Sequence, residues 1–466
     1  MMKRMAVLLV WSVVVNVAAA EVKEHAGVSV DFKHGKLKVS DNHRYLVHAD
    51  GTPFFYLGDT AWQLFARLNR EEAQRYLENR RAKRFTVIQA VILAEVDGLN
   101  TPNMYGDRPL IDNDPSKPNE AYFKHVDAIV EMALDKGIYM GLLPTWGDKV
   151  TKAWGAGPVV FTEANAEQYG RFLGKRYKDY PNIIWILGGD RVADQVEPVW
   201  RAMARGIKAA GDEHLMTYHP QGERTSADWF HNDAWLDFNM LQSGHARYDI
   251  DNYRMIDKDY RRSPAKPCLD GEPRYENHPV NWKPEQGWFN DFDVRQSAYW
   301  GLFAGACGHT YGCHDIWQMK TPKWSPISAA RGIWYESMDL PGAGQMLHVR
   351  RLMESRPMLE RIPDQSIIQS GQQDGGRHIQ ATRRTDYLMV YTPYGDTLQV
   401  DDGTISGAKR QAWWYNPRDG AAERIGEFGQ GEKTQFDPPG KPGRGNDWVL
   451  VIDDADKKYG PPGAAR

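Results

Sequence analysis

Two carboxyl groups, Asp190 and Glu272, stand in the sequence context that acid–base and nucleophilic chemistry requires. Each lies in a short stretch, 182–190 or 266–273, that predicts a β-strand ending at the carboxylate. In a barrel of parallel strands, side chains at the carboxyl ends of the strands converge on one rim, so these distant residues can face each other. Paired carboxyl groups on such a rim are suited to the hydrolysis of glycosidic bonds.

Each carboxyl group also has a simpler structural explanation. Asp190 precedes a predicted helix and could cap it, as Asp194 could. Glu272 lies before a proline and could be exposed in a loop. Asp270 competes with Glu272, because residues two apart on a strand share a face. Asp270 lies one layer deeper and is predicted to hydrogen-bond within the barrel, so we assign catalysis to Asp190 and Glu272.

The barrel is predicted from apolar runs that alternate with amphipathic stretches. The predicted strands are 54–59, 85–93, 139–146, 183–190, 214–219, 238–242, 266–272 and 308–314. The predicted helices between them include 70–83, 122–136, 166–180 and 196–210. Together they predict an α/β fold, a (β/α)8 TIM barrel over residues 51–360, in which Asp190 ends the fourth strand and Glu272 the seventh.

Segments with different patterns flank the barrel. Residues 36–40 and 45–48 surround turn-forming residues and predict a β-hairpin, within an N-terminal element over 21–50 that borders or plugs the barrel. After about residue 361, short alternating runs predict a small antiparallel β-sandwich over 361–455. Its predicted strands are 378–382, 387–392, 411–415 and 448–452. We predict a disordered tail at 456–466.

Further side chains at or just beyond the predicted strand ends can bind sugar hydroxyls or stack on sugar rings. The polar candidates are Asp59, Gln89, His219, Gln242, His245, Tyr311 and His314, and the aromatic candidates are Trp62, Trp146 and Trp317. A structural hydrogen bond or core packing is the alternative for each of them. The 17 Trp and 22 Tyr also suit carbohydrate binding, although most of these rings are expected in the core.

Composition and motifs exclude other functional classes. A net charge of −3 without a basic run gives no electrostatic reason to bind nucleic acid or an anionic membrane. No metal-ligand spacing of histidines, Gly-x-Ser-x-Gly elbow or phosphate loop is present, so we predict neither metal nor cofactor.

The three cysteines exclude a disulfide scaffold, and Cys307 and Cys313 either pair or remain buried thiols. The oligomeric state is left open.

The first 20 residues predict a signal peptide. Lys3 and Arg4 precede an apolar run at 5–17 and three alanines that form a small-residue cleavage site. The apolar run is too short to cross a bilayer, and no later segment approaches the roughly 20 apolar residues that a membrane helix needs. We therefore expect a soluble protein that is secreted or periplasmic, with a mature chain starting near Glu21.

Four motifs jointly resemble the apiosidase-like glycoside hydrolases, glycoside hydrolase family 140. They are Gly58-Asp59-Thr60-Ala61-Trp62, Gly188-Gly189-Asp190, Asp270-Gly271-Glu272-Pro273 and the segment 312–317. The resemblance implies a (β/α)8 barrel with a C-terminal β domain labelled collagen-binding, a pectic substrate, Asp190 as acid/base and Glu272 as nucleophile. Related retaining glycosidases usually have Asn-Glu where this chain has Gly189-Asp190, so hydrogen bonds to the sugar must come from elsewhere.

We therefore predict a secreted retaining glycoside hydrolase whose partner is a polysaccharide or oligosaccharide. Cleavage of apiosyl linkages in pectic side chains rests on the resemblance alone. An arabinofuranosidase or a β-glycanase on the same barrel is the enzymatic alternative. A non-catalytic carbohydrate- or matrix-binding protein is the alternative of another class, although binding alone does not require a carboxylate pair.

Overall fold

A computed structural model describes residues 27–464, and the predicted signal peptide lies outside the described residues. The described chain begins with a small antiparallel sheet of β1 (Leu37–Val39), β2 (Leu46–His48) and β3 (Pro53–Phe54). Phe32 and Phe54 pack edge-on against Tyr139, which begins a barrel strand. This sheet therefore covers the amino-terminal end of the barrel, opposite the rim where the strands end.

Nine strands form the barrel sheet within residues 27–464. They are β4 (Tyr56–Thr60), β5 (Val87–Leu93), β6 (Tyr139–Thr145), β7 (Ile183–Gly188), β8 (Met216–His219), β9 (Arg224–Thr225), β10 (Asn239–Gln242), β11 (Cys268–Asp270) and β12 (Gly308–Tyr311). All pairs are parallel except β9 with β10. Burial on both faces explains the continuous apolar runs, such as β5, in which every residue is buried.

The eight parallel strands close into a barrel. β4 pairs with both β5 and β12, which joins the first strand to the last. Between β8 and β10 the gap is bridged by three hydrogen bonds. The Asp237 N–H donates to the Met216 carbonyl at 2.9 Å, the Met216 N–H donates to Asp237 Oδ2 at 2.7 Å, and Thr217 Oγ1 donates to the Phe238 carbonyl at 2.6 Å. The predicted (β/α)8 fold is confirmed, with β7 as the fourth and β11 as the seventh parallel strand.

Helices surround the barrel and connect its strands. They are α1 (Leu64–Arg67), α2 (Arg70–Ala82), α3 (Glu120–Asp135), α4 (Glu163–Tyr177), α5 (Glu197–Ala209), α6 (Ala227–Phe230), α7 (Asn252–Tyr260), α8 (Asp291–Phe303), α9 (His314–Trp317), α10 (Trp334–Ser337) and α11 (Pro341–Glu354). The predicted helices correspond to α2, α3, α4 and α5. α4 begins earlier than predicted because Thr162 and Asn165 form a capping box that fixes its first turn.

The C-terminal β domain contains two antiparallel sheets. Its strands are β13 (Ile362–Pro363), β14 (Ile368–Ser370), β15 (Gln380–Arg383), β16 (Tyr387–Thr392), β17 (Leu398–Val400), β18 (Lys409–Tyr415), β19 (Ala422–Gly429), β20 (Gln435–Phe436) and β21 (Trp448–Asp454). The larger sheet has the order β13-β15-β16-β21-β18-β19, and β14, β17 and β20 form the smaller one. Apolar side chains of both sheets, such as Leu450 and Val400, share one core. The predicted antiparallel β domain is confirmed.

The opposite face of the larger sheet packs against the barrel. Tyr391 of β16 stacks on Tyr299 of α8 with ring centroids 4.9 Å apart. Residues of β21 alternate between the two cores, because successive side chains of a strand point to opposite faces: Val451 joins the barrel side and Leu450 the domain core. The barrel and the β domain therefore share a continuous apolar interface.

Residues 456–464 differ from the prediction of a disordered tail. The Tyr459 hydroxyl donates to Asp386 Oδ2 at 2.7 Å, and Arg356 donates to the Gly460 carbonyl at 3.0 Å. The Arg356 guanidinium also lies over the Tyr459 ring, 4.9 Å from its centroid. These partners are distant in sequence, so the local composition of the tail gives no sign of them.

We expect Asp447→Ala to lower the free energy of unfolding by about 3 kcal/mol. Asp447 accepts two hydrogen bonds from Arg295, at 3.0 and 2.9 Å, and both side chains are almost fully buried. The substitution leaves a buried guanidinium whose remaining carboxylate partner is Asp291. Urea unfolding measures the change. Asp374→Ala, an exposed carboxylate of the same domain, is the control and is expected to change the value by less than about 0.5 kcal/mol. Equal values for the two variants would contradict the expectation.

Candidate active site

A cavity of about 810 Å³ opens at the carboxyl ends of the barrel strands. Its walls include both predicted catalytic residues, Asp190 just after β7 and Glu272 just after β11. A volume of this size suits a ligand of several rings. The structure therefore brings together two carboxyl groups that are far apart in sequence.

The turn after β7 requires glycine. Gly188 and Gly189 have φ of +88° and +121°, in the region that favours glycine. A Cβ on Gly188 would lie 2.4 Å from the His219 carbonyl oxygen, and one on Gly189 would lie 2.8 Å from the Trp146 ring. Asp190 follows with φ of +55°. This tight turn, packed between two neighbouring strand ends, aims Asp190 into the cavity.

Asp190 does not cap a helix. α5 begins at Glu197 without a side-chain cap, and Asp194 accepts a hydrogen bond from the Trp229 indole. The Asp190 carboxylate instead accepts a hydrogen bond at Oδ2 from Trp154 Nε1, at 3.0 Å. The alternative of a capping role is therefore not supported for either aspartate.

The environment of Asp190 favours its protonated form. Burial, followed by the charge of Glu272, raises the pKa of Asp190 to about 6, while Arg191, His219 and Trp154 oppose the rise. Arg191 is a weak counter-ion, with Nη1 3.6 Å from Oδ2. The Asp190 side chain keeps 23% of its surface exposed, so it remains accessible from the cavity.

The environment of Glu272 favours its ionised form. Burial alone would raise its pKa, but His219 and His245 outweigh burial and lower the pKa to about 2. His245 Nε2 is hydrogen-bonded to Oε1 at 3.0 Å. His219 Nε2 lies 3.1 Å from Oε2 in a poorly aligned contact, which we interpret as electrostatic.

One imidazole connects the two carboxyl-bearing residues. The Asp190 backbone N–H donates to His219 Nδ1 at 3.4 Å, so a neutral His219 carries its proton on Nε2, which faces Glu272. The turn that positions the acid thus also fixes the tautomer of the histidine beside the second carboxylate. Opposite pKa shifts in one cavity give one proton donor and one anion, as general acid and nucleophile require.

We expect kcat/KM to show an alkaline limb near pH 6, with its acid limb near pH 2, below the assayed range. As the pH rises through this value, Asp190 loses the proton that it must donate, so the rate falls. The acid limb belongs to Glu272, whose pKa of about 2 keeps it ionised through the mildly acidic range. The limbs report apparent values of the interacting pair. Initial rates on one substrate between about pH 3 and 9 test this. A rate that still increases above pH 8 would exclude Asp190 as the acid.

Six of the other predicted site residues lie at the cavity. Trp62, Trp146, Gln242, His245 and Trp317 line it, and His219 lies behind Glu272. Three buried atoms of these five lining residues, Trp146 Nε1, Gln242 Oε1 and His245 Nδ1, have no protein hydrogen-bond partner within residues 27–464. Buried polar atoms normally have partners, so these three are suited to sugar hydroxyls.

The other four predicted site residues lie outside the cavity wall, which corrects the prediction. Asp59 pairs with Arg80 and Tyr76 of α2. Gln89 donates to Thr310 Oγ1 and the Gly271 carbonyl inside the barrel. Tyr311 donates to Glu276, and His314 contacts the Ile327 and Ser328 carbonyls. For Asp59 and Tyr311 the cause is alternation along the strands, because a shift of one residue turns a side chain away from the barrel interior. Gln89 instead lies deeper inside the barrel, and His314 begins α9 rather than ending a strand.

The cavity wall also contains residues that were not predicted, notably Glu95, Trp154, Tyr275 and Trp282. Glu95 lies two residues after the end of β5, which is the same sequence signal that marks Asp190. Burial, together with the charges of Asp190 and Asp148, raises the pKa of Glu95 to about 8. Trp154 and Trp282 are 46% and 49% exposed in loops that have no periodic pattern. Their exposure beside the carboxylates suits stacking on sugar rings.

We expect Trp154→Phe to move the alkaline limb of kcat/KM upward, by less than about one pH unit. The indole N–H stabilises the ionised form of Asp190 and lowers its pKa, so its removal leaves the acid protonated to a higher pH. Phenylalanine keeps an aromatic ring in the same place. The pH profile of the variant is compared with that of Tyr105→Phe, an exposed aromatic outside the cavity. A shift to lower pH in Trp154→Phe would contradict the hydrogen bond.

Between residues 27 and 464, no group of three or more His, Cys, Asp or Glu side chains is arranged to hold a metal ion. None of the helices in that range is long and apolar enough to cross a membrane. Cys268, Cys307 and Cys313 are buried free thiols, which decides between the two alternatives for the cysteines.

Comparison with solved structures defines the class of protein. A glycoside hydrolase is 41% identical, with a TM-score of 0.87, and the match covers 92% of this chain and 99% of that one. A family 5 glycoside hydrolase from Bacteroides vulgatus is 38% identical, with a TM-score of 0.89, and the match covers 95% and 98%. No curated protein matches the chain. The barrel with its paired carboxyl groups is that of a glycoside hydrolase.

The family is defined by two domain matches. The model described as "Apiosidase-like, catalytic domain" matches residues 40–360. The model described as "Putative collagen-binding domain of a collagenase" matches residues 362–453. The chain belongs to the apiosidase-like family, and the resemblance to apiosidase-like glycoside hydrolases is confirmed.

Proposed function

We propose that this glycoside hydrolase is a retaining enzyme that cleaves apiosyl linkages in the side chains of plant pectin, with Asp190 as acid/base and Glu272 as nucleophile. One observation carries the proposal: two carboxyl groups share a cavity, and their surroundings favour protonation of Asp190 and ionisation of Glu272. A double displacement needs this division of roles at its first step.

The proposed reaction has two steps. First, Glu272 attacks the anomeric carbon while Asp190 gives its proton to the leaving glycosidic oxygen, which forms a glycosyl ester on Glu272 and releases the alcohol. Second, the now ionised Asp190 accepts a proton from water, which attacks the same carbon and frees Glu272. His219 and His245 stabilise the Glu272 carboxylate before the first step and after the second.

The proposed substrate rests on the family match, and the proposed location rests on the first 20 residues. The apiosidase-like family match supports an apiosyl linkage, and the exposed tryptophans at the cavity mouth suit a substrate with several sugar rings. The charged start, apolar run and alanines at residues 1–20 support export, which fits a polymeric substrate outside the cell. An arabinofuranosidase or a β-glycanase remains the enzymatic alternative.

The test is to incubate the protein with pectic oligosaccharides that carry apiosyl side chains and to identify the released sugars by chromatography. We expect release of saccharides whose new reducing end is apiose, and proton NMR of the first product should show the anomeric configuration of the substrate. Release of arabinose from arabinofuranosides without action on pectin would favour the alternative enzyme. Binding without release would favour a carbohydrate-binding protein.

A further inference from the structure

A second cavity of about 360 Å³ adjoins the proposed active site on the same rim. Val96 and Ile327 line both cavities, so a bound chain can pass from one to the other. The characteristic side chains of the second cavity are Arg67, at the end of α1, and Lys323 and Trp324, in the loop between α9 and α10. The catalytic scheme uses none of them.

The two cations of this cavity have no carboxylate partner. Within residues 27–464, neither Arg67 nor Lys323 forms an ion pair, whereas most arginines of the barrel do. Arg67 Nη1 donates to the Gln318 carbonyl at 2.6 Å, which fixes the guanidinium and leaves its other N–H groups available. Both cations lie close to the Trp324 ring, 4.6 and 4.9 Å from its centroid.

The charge of Arg67 is not neutralised from the active-site side. Glu95 is the acidic group whose charge acts on Arg67. Because burial raises the pKa of Glu95 to about 8, its carboxyl group is neutral in the acidic range where we expect activity. Asp97 lies next to the shared wall, but its side chain accepts a hydrogen bond from Asn100 within its own turn. Two cations and no carboxylate line this cavity, so its charge stays positive at working pH even with Asp97 beside it.

We propose that this second cavity binds a uronic acid residue of the substrate. A planar carboxylate matches the fork of the Arg67 guanidinium, Lys323 adds a second charge, and Trp324 offers a face for the sugar ring. A neutral sugar would leave both cations without a counter-ion. This inference rests on the proposed function, because it places a uronate of the substrate beside the linkage that is cleaved.

Binding of trigalacturonate, which has no apiosyl linkage, tests the inference apart from hydrolysis. Isothermal titration calorimetry on the full-length protein compares trigalacturonate with its methyl ester, which has the same rings without charge. We expect the acid to bind at least about tenfold more tightly than the ester at low salt. Added salt should weaken binding of the acid and leave that of the ester unchanged.

Two substitutions in the second cavity test whether trigalacturonate binds there. Lys323→Gln should weaken binding of trigalacturonate about two- to fivefold, because Lys323 is exposed, and Trp324→Ala should weaken it further. Lys409→Gln, at another exposed lysine that lies in the β domain, should have no effect. Equal affinities for the acid and the ester, or unchanged binding in both cavity variants, would overturn the inference. Neither result would contradict the proposed function, because sugar release from apiosyl substrates is measured in a different experiment.

Discussion

Glu272→Ala is expected to abolish turnover of every glycoside substrate, with a loss of roughly 10⁴- to 10⁶-fold in kcat. The substitution removes the proposed nucleophile, and no other carboxylate of the cavity can replace it. Glu95 is mostly protonated in the active pH range, and Asp190 is held on the other side of His219. Glu223, the remaining carboxylate of the lining, is paired with Arg247 at 2.6 Å. Single-turnover rates and steady-state rates on an activated aryl glycoside measure the loss.

Azide distinguishes a missing nucleophile from a damaged fold. In Glu272→Ala, azide can occupy the space of the carboxylate and attack the anomeric carbon of an activated glycoside, so the glycosyl azide should have inverted configuration. Glu285→Ala, an exposed carboxylate outside the cavity, is the control and should keep full activity. Turnover of Glu272→Ala within tenfold of the unsubstituted enzyme would show that another residue is the nucleophile.

The barrel was predictable because its strands are buried on both faces. Such strands appear in a sequence as continuous apolar runs, and Val87–Leu93 is the clearest example. Some strands of the β domain were harder to predict. Ala422–Gly429 is partly exposed along its whole length and carries Glu423, Arg424 and Glu427, so it lacks the alternation that marks a half-buried strand.

The two carboxyl groups of the site were predictable for a topological reason, since parallel strands end at one rim. The rest of the cavity wall was predictable only in part, because the positions of its side chains also depend on strand alternation and on loops. Asp59 lies one residue before the end of β4, and its side chain is directed to Arg80 of α2. Trp154, which contacts Asp190 directly, lies in a loop where only the three-dimensional fold determines its partner.

Asp190→Ala is expected to reduce kcat about 10²- to 10⁴-fold on substrates with a sugar leaving group, and much less on activated aryl glycosides. Sugar alkoxides leave slowly without a proton, whereas an acidic phenol leaves without one. The alkaline limb near pH 6 should disappear, because the group that titrates there is gone. Asp194→Ala, an exposed aspartate four residues later, is the matched control and should retain the limb.

The second step gives the sharpest test of the role of Asp190. Once an activated substrate has formed the glycosyl ester on Glu272, the variant lacks the base that accepts the proton of water, so the ester should accumulate and be detectable by mass spectrometry. Azide needs no base, so it should restore turnover and give a glycosyl azide of retained configuration. The opposite configurations from the Asp190 and Glu272 variants follow only if the first is the acid/base and the second the nucleophile. The same configuration from both would refute the assignment.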